Sequence, residues 1–168
     1  SIENKTKELM IGFSESDYPI SFQKIIEKVP QRIGIFNASF TEDGISWLTK
    51  KEGEDFLIYI NNMEPLVRRR FSIAHELGHL FLHMGFGTER WENTPVGKIF
   101  NRNGNYDEIE MEANQFAAAF LMPKEEYRNI LYQNVNNNKI DIHIIAKHFG
   151  VSREAASNRG KWLGYLKW

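Results

Sequence analysis

The chain has no cysteine among its 168 residues. Disulfides, thiolate metal ligands and a cysteine nucleophile are therefore excluded. That absence fits a reducing compartment, and a cytoplasmic protein is expected. Long apolar runs are also missing. No stretch approaches the roughly 20 residues of a membrane-spanning helix, so no membrane contact is expected. The opening SIENKTKELM is too polar to read as a signal peptide. Neither sign of charge dominates: 21 Lys and Arg face 22 Asp and Glu, a net charge of −1. A nucleic-acid grip spread over the whole surface is thereby excluded. Solenoid-scale repeats and low-complexity tracts are absent as well.

What is present is ordinary for a globular protein, with 42% apolar and 26% charged residues. The length suits one domain spanning residues 1–168, and a chain of that size buries roughly 70% of its unfolded surface. Apolar spacing predicts a helix over 22–29, stopped by Pro30. Three β-like runs follow at 33–36, 45–48 and 56–60, with Asp43-Gly44 and Glu52-Gly53-Glu54 as turn signals. They predict a small three-stranded sheet, antiparallel in part. Pro65 opens a long helix over 66–84, and Gly85 stops it. Residues 85–106 read as a long surface loop able to fold over a cleft. Further helices are expected over 108–121, 124–131, 141–148 and 153–163. The resulting order defines an α+β fold.

Of the five histidines, His75, His79 and His83 fall within nine residues. His75 and His79 are four apart, so a helix puts both imidazoles on one face. Two such nitrogens can close on one ion at the roughly 2.0–2.1 Å that zinc prefers. Glu76, offset by about 100°, stands beside the ion, where a base can take a proton from water. The alternative is a surface helix with ordinary polar residues. The apolar neighbours Phe71, Ala74, Leu80 and Leu82 argue against it, because buried polar groups need partners. Gly78 costs such a helix about 0.8–1 kcal/mol and makes sense only where another element packs close.

A catalytic zinc takes three protein ligands. Glu110 is the expected third, from a helix whose small residues Ala113 and Ala117 permit close approach. It shares a side with Ala113, Asn114 and Ala117, whereas Glu112 points about 200° away and is the alternative. Asn114 is placed to accept a hydrogen bond from a ligating histidine.

The segments Arg70-Phe71-Ser72-Ile73-Ala74-His75-Glu76-Leu77-Gly78-His79-Leu80-Phe81-Leu82-His83, Glu110-Met111-Glu112-Ala113-Asn114-Gln115-Phe116-Ala117 and Leu121-Met122-Pro123 together resemble the ImmA/IrrE family of metallopeptidases. The resemblance runs from about Phe56 to Leu163. It implies a compact, gluzincin-like zincin fold holding one Zn²⁺ per chain. His75, His79 and Glu110 would be the ligands and Glu76 the catalytic base. The implied activity is endopeptidase cleavage of a repressor carrying a helix-turn-helix. Within the domain, 1–44 would supply the N-terminal helix and first strand, 45–133 the catalytic core and 140–168 a C-terminal helix pair. The oxyanion donor is not identified; Tyr106, His83 and Arg70 are candidates. An extended substrate is expected to add to a strand edge at 56–61.

Two other readings compete. One is a metal-fold binding module without catalysis, a toxin–antitoxin-type partner that regulates transcription. The carboxylate of Glu76 argues against it, since a silent scaffold has no use for a base. The other is DNA binding through 140–168, where five Lys/Arg and two Asp/Glu give +3. Gly150 would make a helix-turn-helix turn and Ser152 cap the next helix. Arg153, Arg159 and Lys161 are few for phosphate contacts, and the family resemblance implies a helix pair belonging to the peptidase domain, with Val151 and Leu163 packed on the core, so DNA contact is not expected.

Overall fold

A computed structural model describes residues 1–9, 18–19, 36–41, 47–50, 56–61, 64–95, 99–100 and 107–168. Along the chain run α1 (Ile2–Leu9), β1 (Phe36–Thr41), β2 (Trp47–Lys50), β3 (Phe56–Asn61) and α2 (Leu66–Gly78). Then come α3 (Glu89–Glu92), β4 (Ile99–Phe100), α4 (Asp107–Leu121), α5 (Lys124–Asn134), α6 (Ile142–Phe149) and α7 (Arg153–Trp162). A small sheet and a larger helical part give the expected α+β character. The helix expected over 22–29, the turns at Asp43-Gly44 and Glu52–Glu54, and Tyr106 lie outside the described residues.

The sheet differs from expectation in two respects. Among the described residues it has four strands, in the order β1-β3-β2-β4, not three. β1 runs parallel to β3, while β2 runs antiparallel to both β3 and β4. β3 is therefore interior, bonded on both sides, and offers no edge to an incoming strand. The run Phe-Leu-Ile-Tyr-Ile is nearly continuous in apolar residues, which is how an enclosed strand reads. The strand-edge docking expected at 56–61 is thereby ruled out.

Within the stretch 85–106, the described residues 85–95 and 99–100 do not form a plain surface loop either. Trp91 on α3 is buried at 1% exposure. Lys50 of β2 donates to the Trp91 and Thr94 carbonyls, and Thr94 Oγ1 donates to the Met84 carbonyl at 2.8 Å. β4 then returns to the sheet. A single tryptophan in a polar stretch is the signal that an anchored segment leaves.

α2 follows β3 closely because Pro65 presets the entry. Its φ of −55° and ψ of 151° put it just before the first helical residue, one position earlier than expected, and its carbonyl accepts from Arg68 and Arg69. Ala74, Leu77 and Leu80 form the inward stripe at 0–2% exposure. Each buried leucine contributes roughly 1.5–3 kcal/mol. An aromatic line joins the layers: Phe56 meets Phe86 at 5.3 Å, Phe86 meets Phe81 at 5.9 Å, and Phe81 stacks on Phe116 at 5.9 Å.

The C-terminal helices follow their local signals. Asp141 caps α6 and Ser152 caps α7 through side-chain acceptors, at 2.9 and 3.0 Å. Between them Gly150 ends α6 at φ 66°, in the left-handed region that glycine enters freely. Val151 is buried and Leu163 packs beside the core, as expected. α5 holds α7 through the buried Tyr127 hydroxyl, which donates to the Ala156 carbonyl at 2.7 Å. Burial pushes the Tyr127 phenol up to about 12. Its folded value thus exceeds the ordinary 10, so the stability it lends is intact below pH 10 and is lost as pH rises towards 12. Tyr127→Phe should cost about 0.5–1.5 kcal/mol by removing that hydrogen bond, which the Ala156 carbonyl accepts in addition to its helical one. Urea titration at pH 7 checks this, and the variant should lose less further stability than wild type between pH 10 and 12.

Candidate metal centre

α2 and α4 make the most extensive helix contact among the described elements. The reason lies at Gly78. A Cβ there would stand 3.0 Å from the Ala113 Cα, 3.1 Å from the Ala113 carbonyl oxygen and 3.1 Å from the Phe116 Cβ. Two of these neighbours are backbone atoms, which cannot yield cheaply. The glycine expected to mark a close approach does so, and Ala113 is the facing small residue. His75 meets Asn114, and His79 meets Glu110, so the two helices run antiparallel.

This packing brings three donors together. His75 Nε2 lies 2.9 Å from one Glu110 oxygen, and His79 Nε2 lies 3.0 Å from the other. The two Nε2 atoms are 3.2 Å apart. His75 and His79 are 1% and 2% exposed, whereas the Glu110 side chain is 26% exposed. The centre is thus walled by protein on the histidine side and open towards Glu110. Glu76, the next residue after His75 on α2, is also buried, at 1% exposure.

The other ring nitrogens orient the two rings. His75 Nδ1 faces Asn114 Oδ1 at 2.8 Å, and an amide oxygen only accepts, so that nitrogen carries the proton. His79 Nδ1 faces His83 Nδ1 at 2.9 Å. Burial pushes the His83 imidazole below the ordinary histidine value, with Glu112 opposing, and one of the two rings donates to the other. Both Nε2 atoms face Glu110. Such a convergence of two imidazole nitrogens and a carboxylate suits a cation. Bonds of 2.0–2.1 Å in tetrahedral array separate donors by about 3.3 Å, close to the spacings found here. His75, His79 and Glu110 are thus a group that could hold a metal ion.

Two further sequence candidates acquire definite places. Glu112 points at His83, with Oε2 3.7 Å from Nε2, away from the centre. Arg70, an oxyanion candidate, instead donates to the Gly150 and Phe149 carbonyls at 3.1 and 3.3 Å, closing the end of α6. Sequence reasoning missed the π-helical turn His79–His83 that continues α2. Its Met84 N–H bonds the His79 carbonyl at 2.9 Å, five residues back. This wider turn sets the His83 ring beside that of His79, with centroids 5.1 Å apart and the planes tilted by 48°.

Also missed was a cavity of about 690 Å³ between α2, α4 and α7, with Asn114 in its wall.

Glu110→Ala should lower metal affinity by more than about 100-fold, since it removes a donor. Glu112→Ala and Asn114→Ala should each cost about 10–100-fold at most, since they act only through a ligating histidine. Competitive titration against a chromogenic chelator ranks the three, and a larger loss for Glu112→Ala would reject the assignment.

The IrrE N-terminal-like domain model matches residues 35–161. Metallopeptidase ImmA of Bacillus subtilis (strain 168) is 36% identical over 72 residues, 43% of this chain and 37% of that protein. The match therefore spans little more than a third of that relative's length. Among solved structures, a Mycobacterium tuberculosis transcriptional regulator is similar with a TM-score of 0.57 at 17% identity, over 94% of this chain and 45% of that one. That likeness concerns the fold alone. With a family model covering most of its length, the chain belongs to the ImmA/IrrE family.

Proposed function

We propose that the chain is a zinc-dependent endopeptidase that cleaves a regulatory protein, of the kind that carries a helix-turn-helix, at a specific site. The observation that carries this reading is the convergence of His75 Nε2, His79 Nε2 and a Glu110 carboxylate within 2.9–3.2 Å of one another. The donor set favours zinc: imidazole suits a borderline ion, and calcium or magnesium would call for oxygens alone. One zinc per chain would be held, by His75, His79 and Glu110.

Two neutral imidazoles and one carboxylate would leave the site at net +1, and zinc there would supply a Lewis acid for the scissile carbonyl and the attacking water. Glu76 takes the proton of that water and later passes it to the leaving amine. Asn114 and His83 hold the two rings with Nε2 facing the centre. The open side at Glu110 admits substrate.

Residues 140–168 do not favour DNA as a target. Arg159, one of the cations counted for such contacts, is 3% exposed and forms a bidentate pair with Glu3 at 2.6 and 3.1 Å.

Glu76→Gln should keep zinc and fold while lowering cleavage at least about 100-fold, because Gln cannot accept a proton. The test is incubation with candidate repressors, with and without chelator, read by mass spectrometry of the fragments. Full cleavage by Glu76→Gln, or cleavage unaffected by chelation, would reject the mechanism.

A further inference from the structure

We propose that the cavity between α2, α4 and α7 is the specificity pocket of the metal centre. It takes a bulky uncharged side chain, aromatic for preference, beside the scissile bond of a peptide substrate. The inference rests on the metallopeptidase reading and deepens it.

Continuity is the first argument. Asn114 bonds the His75 ring and also lines the cavity, so the two share a wall. Phe71 lies one turn before His75, and Ala118 one turn after Asn114; both line the cavity. One helical turn is about 5.4 Å, so the space begins within a side chain's reach of the centre. Its volume, about 690 Å³, is that of a small-ligand site, which are roughly 300–1,000 Å³.

The chemistry of the walls is the second. Phe71, Ala118 and Ala155 make apolar surface, and Trp162 stands at the α7 side with 53% exposure. Arg159 lies at the base, but its guanidinium is engaged by both Glu3 oxygens and by the Met122 carbonyl. The base therefore asks for no counter-charge. Arg68 and Glu154, both exposed, offset each other in sign. A carboxylate or ammonium entering here would lose hydration without a matched partner, whereas a phenyl group loses little.

The third argument is rigidity. α7 is held by Tyr127 to Ala156 and by Arg159 to Met122 and Glu3. The α2–α4 groove is fixed by the Gly78 contact. A pocket with preset walls selects by shape, because little is spent on ordering it. Around it Leu66, beside the lining Pro65 and Val67, and Met111, one turn from Gln115, are 64% and 63% exposed. They extend an apolar approach along which the flanking peptide can lie.

Hydroxamates bind zinc through their two oxygens and so report on the pocket without cleavage. The probes are acetohydroxamate, 3-phenylpropionohydroxamate and the monohydroxamate of succinate, titrated into the zinc-loaded full chain by calorimetry. The phenyl compound should bind at least about tenfold tighter than acetohydroxamate, as burial of a ring predicts, and the succinate compound should gain nothing. Ala155→Trp fills the cavity and should bring the phenyl-to-acetyl ratio down to about twofold or less. Asn158→Trp, at an exposed position of the same wall, repeats the test in a variant whose folding is not at issue. Equal affinity of the phenyl and acetyl probes, or a ratio unchanged in both tryptophan variants, would overturn the pocket while leaving the metal centre standing. Failure of acetohydroxamate to bind the zinc-loaded chain would overturn the metallopeptidase reading and the pocket with it.

Discussion

The contact of α2 with α4 at Gly78 and Ala113 is the constraint on which the site depends. Any side chain at position 78 would meet backbone at about 3 Å. Because the helices lie so close and antiparallel, one turn of each faces one turn of the other. His75 and His79 span a turn of α2; Asn114 and Glu110 span the matching turn of α4. A single register therefore sets both the donors and the hydrogen bond that orients one of them. Moving α4 outward by an ångström would separate Glu110 from both rings at once. The intrinsic helix cost of glycine, about 1 kcal/mol, is offset by the packing it permits.

The termini of the chain serve the same core. α1 brings Glu3 to Arg159, whose Nε also reaches the Met122 carbonyl at the end of α4. Arg70 joins α2 to the end of α6. These long-range pairs place the caps of one helix on the side chains of another. They explain why Arg159 is not a free surface cation: α7 is a wall of the same helical body that holds the donors.

The site was far more legible in sequence than the sheet. His75, His79, Glu110 and Asn114 are related by intervals of four, and the choice of Glu110 over Glu112 is a matter of helical phase. Periodicity is a local property, so the residues themselves carry it. The position of β3 inside the sheet is not local, since a strand's neighbours are set by pairing across the chain. Its apolar run was compatible with an edge beside a cleft until β1 and β2 were seen to flank it. α1 was missed because its sequence is polar, with only Thr6 and Leu9 buried, and its helix is held by tertiary contacts such as Glu3 with Arg159. The cavity left no sequence signal, because its walls come from three separated segments.

The π-helical turn gives the two histidines unlike surroundings. An α-helix would leave residue 83 rotated by about 40° from residue 79. The wider turn removes most of that rotation and sets the two rings at 2.9 Å between Nδ1 atoms. His79 thus faces an imidazole whose far side is turned to Glu112, while His75 donates to the neutral amide of Asn114. Both rings present Nε2 to Glu110, but by different means: the register of α2 against α4 orients His75, and the π-helical turn orients His79.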